Sequence, residues 1–319
     1  MSAPTVTPGS DRLVHRAVPC RGPEHQAEVL AGPVTGALER GWRALVVVEA
    51  DCRRELERSL GPDADVDWCP PERMHSAPPF TVAGRWGRSV RDALSDGAAG
   101  VCTVGQLMDL PDTDPAYWTR LDLALTHALD GMPVMMLCCF PDDDHTRAQA
   151  SELHDELLMD GAPVPSTTRR DEHELLREHP QPPPADLGVP AVSLPVDLAG
   201  LGAMRRVVER EATLGGLGPG RAEDLVLAVN ELVSNGIEHG SGSPLLRMWH
   251  TGDAVVAETT DPVAGRLAFP GLAAPPLGGR RGRGLWLASE LTDVLQVWTA
   301  EDDPGRVRGT VVRVTMTPP

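Results

Sequence analysis

The first half of the chain carries short continuous apolar runs that alternate with amphipathic stretches. The clearest runs lie at 43–50, 99–104 and 133–140, with a shorter one at 66–68. Continuous apolar strands separated by helices are typical of a parallel sheet that is covered on both faces. Helices are predicted between these runs, at 25–40, 52–60, 85–95, 115–129 and 145–158. The pattern therefore predicts an α/β domain with a parallel sheet.

In the second half the pattern changes to two amphipathic helices followed by strands. The first helix is predicted over 198–214, with Asp197 as its cap, and the second begins near Arg221. Apolar residues recur along the second helix at helical spacing and predict a buried face. Strands are predicted at 245–250, 254–260 and 311–316, with an apolar helical run at 285–291. This half predicts a second α/β domain.

A proline-rich segment at 179–184 separates the two halves. Such a run favours stiff, extended chain. We expect a polar, disordered tail over 1–15, a first domain over 16–178, a linker with a connecting strand over 179–194, and a second domain over 195–319. The strand predicted at 189–194 fits either domain.

The charge of the chain narrows the class of partners. Asp and Glu number 46 against 29 Lys and Arg, which gives a formal net charge of −17. A protein that neutralises phosphates needs a basic surface, so this balance argues against direct nucleic-acid binding. We see neither a signal-peptide core nor an apolar stretch of the roughly 20 residues that span a bilayer. The expectation is a cytoplasmic protein that binds proteins or small ligands, without a membrane segment.

All six cysteines lie in the first half, and their spacing does not suggest a zinc site. Cys102, Cys138 and Cys139 fall inside apolar strands and are predicted to be small core residues. For the other three, a redox or metal role is the weaker alternative.

The segment at 230–240 carries the strongest chemical signal. Glu231 and Asn235 lie one turn apart on the second helix, so their side chains share a face. The amide oxygen of Asn235 is a hard ligand suited to Mg²⁺, and Glu231 could orient or deprotonate a nucleophile. A solvated polar stripe is the alternative interpretation.

A glycine- and arginine-rich segment at 278–284 precedes the last predicted helix. Glycines at a helix start allow backbone N–H groups to approach a phosphate, and the helix dipole favours the anion. A plain flexible loop is the alternative. The strand at 254–260 delivers Asp261, and Thr310 opens the last strand, where either strand propensity or a ligand role explains it.

The segment at 230–240 reads Asn-Glu-Leu-Val-x-Asn-x-x-x-His-Gly, which resembles the N-box of the GHKL ATPase superfamily and is closest to the anti-sigma-factor serine kinases. The resemblance covers about 195–319. It implies a GHKL (Bergerat) α/β sandwich, with helices on one face of a mixed sheet, that binds ATP and Mg²⁺. The residues that it implicates are Glu231 as the catalytic residue, Asn235 as the Mg²⁺ ligand, Asp261 as the acceptor for the adenine amino group, Gly265, Gly282 and Gly284 in the nucleotide-binding loops, and Thr310 near the nucleotide.

One position departs from the pattern of that family. The family's Asp-x-Gly-x-Gly reads Asp-Pro-Val-Ala-Gly here, with Val263 in place of the first glycine. Valine tolerates positive φ poorly, so a loop that requires it would change shape.

The resemblance implies a regulator that binds a sigma factor and an anti-anti-sigma antagonist of the STAS type. If active, it would transfer the γ-phosphoryl group of ATP to a serine or threonine of the antagonist. A non-enzymatic, protein-binding switch is the first alternative, favoured by Val263. A histidine-kinase catalytic half is the second, weakened because we see no dimerisation hairpin with a phospho-accepting histidine. A homodimer is compatible with each of them.

The first half resembles the MEDS sensory domain, which has a degenerate RecA-like core. The resemblance implies that this half senses a small organic ligand or mediates contacts, and that it controls the second domain. The sequence Gly-Pro-Glu-His at 22–25 stands where a phosphate loop would lie, and it lacks the lysine. His25 is either a ligand contact or an ordinary helix-start residue. Asp142, Asp143 and Asp144 could bind a cation or cap a helix.

Overall fold

A computed structural model of the chain describes residues 12–107, 114, 116–263, 269–274, 283–300 and 308–318. The chain divides into two compact units, with the boundary between Leu175 and Leu176. Among the described helices, none combines the length and apolar character that crossing a bilayer requires.

The first unit contains one seven-stranded sheet. Its strands are β1 (Val14–Cys20), β2 (Arg43–Val47), β3 (Val66–Trp68), β4 (Val101–Gln106), β5 (Val134–Pro141), β6 (Glu156–Met159) and β7 (Ala162–Pro165). Its helices are α1 (Pro23–Glu39), α2 (Ala50–Leu60), α3 (Pro71–Met74), α4 (Pro79–Ser95), α5 (Tyr117–Leu129) and α6 (Asp144–Leu153), and α7 (Glu172–Glu178) spans the boundary.

The strand order is β3-β2-β4-β5-β1-β6-β7, and the β6–β7 pair is the antiparallel one among the described pairs. Helices cover both faces of the sheet. Successive strand residues point to opposite faces, so two neighbouring residues of β1 show which helix lies on each side. Val18 packs in a cluster with Leu30 of α1, whereas the preceding Ala17 packs with Ala150 of α6. The predicted α/β class with a largely parallel sheet is confirmed.

Several elements of this unit differ from the predictions. The short helices α3 and α7 and the β6–β7 pair were not predicted, and α4 begins at Pro79, six residues before its predicted start. β1 was not predicted, because His15, Arg16 and Pro19 interrupt its apolar pattern, and it begins inside the predicted tail. The helix predicted over 145–158 was too long. It ends at Leu153, His154 takes extended backbone angles (φ −108°, ψ 148°), and β6 follows.

The second unit contains a five-stranded sheet with helices on one face. Its elements are β8 (Val192–Pro195), α8 (Leu201–Leu214), α9 (Pro219–His239), β9 (Leu245–His250), β10 (Val255–Asp261), α10 (Arg283–Leu291), β11 (Val294–Thr299) and β12 (Thr310–Met316). The strand order is β11-β12-β10-β9-β8, and every described pair is antiparallel, so the sheet is not mixed as expected. β8 pairs with β9, which places the connecting strand in this sheet.

The core of this unit lies between the sheet and its three helices. Met204 of α8, Val229 of α9 and Ala288 of α10 are fully buried in it, together with Ala257 and Val314 of the sheet. α8 begins at Leu201, three residues later than predicted. Asp197 instead accepts a hydrogen bond from the N–H of Gly200 (2.8 Å), which closes the turn before the helix.

The segment that precedes β8 is held against the opposite face of this sheet. The indole N–H of Trp298 donates to the carbonyl of Pro182 (2.7 Å), and that of Trp249 donates to the carbonyl of Gly188 (3.0 Å). Between the two indoles, the buried guanidinium of Arg313 pairs with Glu258 at 2.6 Å. The segment from Pro182 to Gly188 is therefore bound to the sheet at both of its ends.

Candidate functional site

Helix α9 positions Glu231 and Asn235, the two candidate site residues of the N-box pattern. Its buried residues lie on one face, and Pro219 in the first turn and Gly240 at the C-cap bound it. Glu231 and Asn235 lie on another face and are half-buried. The neighbouring Asn230 points elsewhere, since its Oδ1 accepts two hydrogen bonds from Arg205 of α8 (3.0 and 2.8 Å). The helix therefore presents one carboxylate and one carboxamide side by side, one turn apart.

The start of α10 approaches this pair closely. A Cβ atom on Gly284 would lie 2.9 Å from Asn235 Nδ2 and 3.1 Å from Glu231 Oε2. Real Cβ atoms essentially never come within 3.0 Å of another heavy atom, so glycine is required unless Asn235 moves. The first turn of a helix carries N–H groups without helical partners and the positive end of the dipole. The N-terminus of α10, which favours anions, thus lies next to Asn235, whose amide oxygen can bind a cation.

Asp261 lies at the end of β10 and is buried, with 7% of its surface exposed. Its carboxylate accepts hydrogen bonds from the N–H and hydroxyl of Ser241 (2.9 and 2.7 Å) and from the N–H of Val263 (2.8 Å). A carboxylate has about four acceptor positions, so these three donors leave capacity for one more. Gly240 makes room for the carboxylate, because a Cβ there would lie 2.5 Å from Asp261 Oδ2.

Thr310 stands opposite Asp261 in the β10–β12 pair. Its hydroxyl donates to the carbonyl of Val263 at 3.0 Å. The preceding Gly309 has a φ of 78°, and a Cβ there would overlap the carbonyl oxygen of Asp261. The Gly-Thr sequence therefore allows the two strand ends to approach each other.

These residues surround one cavity of about 400 Å³, within the usual range of about 300–1,000 Å³ for ligand pockets. Four residues predicted from the sequence line it: Asn235, Asp261, Gly284 and Thr310. Glu231 lies beside Asn235 and Gly284 without lining the cavity. Gly265 and Gly282, also predicted, lie outside the described residues. The cavity brings four of the five described candidates together, with Glu231 beside it, and their individual roles remain predictions.

The sequence analysis assigned no site role to several residues that shape this cavity. Ser241 holds the Asp261 carboxylate, Gly240 and Gly309 make the close approaches, and His239 lines the wall. The signal available for Ser241 was its place directly after the N-box, in the run Ser-Gly-Ser at 241–243.

The valine that departs from the family pattern is accommodated here. Asp160 is the one described non-glycine residue with positive φ, so Val263 lies outside the left-handed region. Its N–H is bound by Asp261, and its side chain is 45% exposed at the cavity. Val263 itself therefore adopts an unstrained backbone conformation.

The donor set fits a nucleotide with Mg²⁺. The amide oxygen of Asn235 and the nearby Glu231 carboxylate are the oxygen ligands that this ion prefers. Gly284 leaves a cradle that a Cβ would fill, at a helix N-terminus that favours phosphate. Asp261 lines the same cavity, and the described donors leave its carboxylate one acceptor position.

In the first unit, Asp143 caps α6, because its carboxylate accepts from the N–H and hydroxyl of Thr146 (2.9 and 2.8 Å). The Nδ1 atom of His25 accepts from the N–H of Arg21 at 3.3 Å, at the start of α1. Cys102 and Cys139 are buried core residues, as predicted. The prediction for Cys138 was wrong: it is half-buried, and its sulfur lies 3.1 Å from the Nε2 atom of His15.

Residues 194–316 match the family described as the histidine kinase-like ATPase domain. No curated protein matches the chain. Among solved structures, the chain is similar to the crystal structure of the RsbU and RsbW domains of Rv1364c from Mycobacterium tuberculosis, at 19% identity and a TM-score of 0.29. That match covers 40% of this chain and 33% of the other, so it spans about a third of the relative's length. The family match alone assigns residues 194–316 to a histidine kinase-like ATPase domain, a nucleotide-binding class of domain.

Proposed function

We propose that the second unit binds ATP with Mg²⁺ in the cavity between α9, α10 and the ends of β10 and β12. The observation that carries this proposal is the convergence of Asn235, Asp261, Gly284 and Thr310 on one cavity. The family match at 194–316 supports it independently.

Each residue would have a separate task in that complex. Asn235 would hold Mg²⁺ through its amide oxygen. Asp261 would accept the adenine amino group at its remaining acceptor position. The backbone around Gly282 and Gly284 would bind phosphate oxygens at the start of α10. When bound, ATP supplies the transferable γ-phosphoryl group, and Glu231 would orient and deprotonate the hydroxyl that receives it.

The regulatory role that we propose is that of an anti-sigma factor of the serine/threonine-kinase type. The chain would bind a sigma factor and a STAS-type antagonist, and it would phosphorylate the antagonist. The support is the sequence at 230–240, which resembles the N-box of that group, on the half-buried face that α9 presents to the cavity. The first unit, over about 16–178, would act as a MEDS-type sensory domain that binds a small organic ligand.

Val263 favours a second candidate, a protein-binding switch that does not turn over nucleotide. Its side chain lines the cavity where the family pattern has glycine. In this candidate, the valine side chain would take up space that the nucleotide needs, although its backbone is not strained.

Calorimetric titration of the full chain with ATP, with and without Mg²⁺, tests the binding site. Asn235→Ala should weaken Mg²⁺-dependent binding by about tenfold or more, or about 1.4 kcal/mol. The matched control is Asn230→Ala, on the same helix. Asn230 is bound by Arg205, so its loss should leave ATP affinity unchanged. Equal affinity of the wild type and Asn235→Ala would remove Asn235 from the metal site.

A phosphotransfer assay with a purified STAS-type antagonist separates the two candidate functions. The kinase requires that Glu231→Gln lose phosphotransfer while ATP and sigma-factor binding persist, because the substitution removes the base and keeps the shape. A wild type that binds ATP and both proteins without transferring phosphate would establish the non-enzymatic switch instead.

A further inference from the structure

Four side chains with metal-ligating atoms meet in the first unit, far from the nucleotide cavity in sequence. They come from four elements: His15 from β1, Asp122 from α5, Cys138 from β5, and His154 at the C-cap of α6. One ligand atom from each lies within 4.8 Å of all the others. β1 and β5 are neighbouring parallel strands, which places His15 and Cys138 on the same face of the sheet.

The spacing of these atoms is close to that of a tetrahedral metal centre. His15 Nε2 lies 3.1 Å from Cys138 Sγ and 3.9 Å from Asp122 Oδ1, and His154 Nε2 lies 3.9 Å from the same oxygen. Metal–ligand bonds of about 2.0–2.3 Å in tetrahedral geometry separate ligand atoms by about 3.3–3.6 Å. Since no two of the four ligand atoms are more than 4.8 Å apart, shifts of about an ångström or less would bring the set to that geometry.

Both imidazoles direct an Nε2 lone pair into the cluster. The Nδ1 atom of His154 bonds the carbonyl of Ala150 at 3.0 Å, so Nδ1 carries the proton. The Nδ1 atom of His15 bonds the hydroxyl of Thr126 at 3.1 Å, and that hydroxyl donates to the carbonyl of Asp122. Thr126 therefore accepts, and His15 is protonated at Nδ1 as well. Hydrogen bonds of this kind orient metal-bound histidines.

The Nε2 atom of His154 gives an independent indication of a missing ligand. It is buried, with 1% of the side chain exposed, and has no hydrogen-bond partner among the described residues. A buried polar nitrogen without a partner costs about 1–3 kcal/mol. A small cavity of about 50 Å³ adjoins the cluster and is lined in part by Asp122, Cys138 and His154.

We propose that His15, Asp122, Cys138 and His154 bind one divalent transition-metal ion of the Zn²⁺ class. The donor set of two imidazoles, a thiolate and a carboxylate suits this class, whereas Mg²⁺ and Ca²⁺ favour oxygen alone. One thiolate and one carboxylate neutralise the two charges of the ion, so the complete site is neutral, as burial requires. With four protein ligands the site is closed, and the ion would join β1, α5, β5 and α6.

Cobalt substitution of the chelator-treated full chain tests the proposal, with Co²⁺ added in the absence of nucleotide. We expect one ion per chain, ligand-field bands of tetrahedral cobalt, and a thiolate-to-cobalt charge-transfer band. Cys138→Ser should abolish the charge-transfer band. The matched control is Cys139→Ala, the next residue of β5, which packs in the core on the opposite face of the sheet. This variant should keep the band.

Affinity and stability provide a second measurement that does not depend on the cysteine variant. Thr126→Val removes the acceptor that orients His15 and should weaken Zn²⁺ binding by about 10–100-fold. Zn²⁺ should raise the Tm of the wild type in proportion to its concentration, and excess Mg²⁺ should not. A wild type with neither a cobalt charge-transfer band nor a Zn²⁺-dependent Tm would overturn the proposal. So would a band that survives Cys138→Ser.

Discussion

Asp261 and Thr310 face each other across β10 and β12, and both bind the backbone of Val263. Asp261 accepts the N–H of Val263 at 2.8 Å, and Thr310 donates to its carbonyl at 3.0 Å. The position of the carboxylate is therefore fixed from both strands. A residue proposed to recognise adenine needs such support, because a binding group must be held in the productive geometry before the ligand arrives.

Asp261→Asn should weaken ATP binding by about tenfold or more and reduce the preference for ATP over GTP. The substitution replaces one acceptor oxygen with an NH₂ donor, which opposes the donors of Ser241 and Val263. Leaving buried donors unpaired should also lower the free energy of unfolding by about 1–3 kcal/mol. Calorimetry with both nucleotides and urea unfolding measure the two effects.

Ser241→Ala distinguishes recognition of adenine by Asp261 from support of the Asp261 carboxylate by Ser241. This variant removes one hydroxyl donor to Asp261 while keeping the carboxylate and the N–H of residue 241. It should reduce stability by about 1 kcal/mol and retain the preference for ATP. If the wild type binds ATP and GTP equally, Asp261 does not read adenine.

Val263→Gly is expected to give no gain in ATP affinity beyond about twofold, or about 0.4 kcal/mol. The backbone of Val263 lies outside the left-handed region, so glycine relieves no strain. It should instead lower stability by about 0.5–1 kcal/mol through chain entropy. Val263→Ala is the matched control for side-chain volume. A large gain with both variants would show that the valine side chain obstructs the nucleotide.

Much of the second unit could be predicted because its signals are local. β9 was predicted at its observed bounds, and α9 begins two residues before the predicted start, because the 3.6-residue period of its buried face is continuous. The residues of the cavity came from short motifs whose order along the chain places them at neighbouring strand and helix ends. No role was predicted for Ser241 and Gly309, since each matters through a contact with Asp261 that the sequence does not show.

In the first unit, local sequence patterns could not predict β1 or the contacts between residues that are distant in sequence. β1 lies between β5 and β6 in the sheet, but its polar residues interrupt the apolar pattern by which a strand is predicted. The contact between His15 and Cys138 joins positions 123 apart, and that between His15 and Thr126 joins positions 111 apart. Metal spacing rules concern nearby ligands, so they could not find a cluster assembled by sheet order.

Gly309→Ala should lower the free energy of unfolding of the second unit by more than about 3 kcal/mol. A residue with Cβ at positive φ costs about 1–2 kcal/mol, and here its Cβ would also overlap the carbonyl of Asp261. Gly242→Ala isolates the first contribution, because Gly242 has a φ of 82° with open space around its Cβ position. Urea unfolding of both variants measures the difference. If both variants lose the same free energy of unfolding, the ends of β10 and β12 can move apart at no cost to accommodate the added Cβ.

Glu172 should make the stability of the first unit depend on pH in the acidic range. The hydrogen bond from His127 (2.6 Å), followed by that from Arg169 (2.7 Å), lowers the pKa of Glu172 to about 2. A carboxyl with a depressed pKa stabilises the fold fully above its unfolded pKa of about 4.3 and loses this contribution as the pH falls towards 2. The contribution is on the order of 3 kcal/mol.

Glu172→Gln should therefore be less stable than the wild type at pH 6 by on the order of 2–3 kcal/mol, and the deficit should shrink as the pH falls from 4.5 to 2. The control is Glu174→Gln, on the same helix. Glu174 is exposed and pairs with Arg170 at 3.5 Å, an arrangement worth at most about 1 kcal/mol. Urea unfolding followed by circular dichroism at several pH values provides the comparison. A deficit of Glu172→Gln that stays constant down to pH 2 would show that the Glu172 carboxylate does not contribute through its charge.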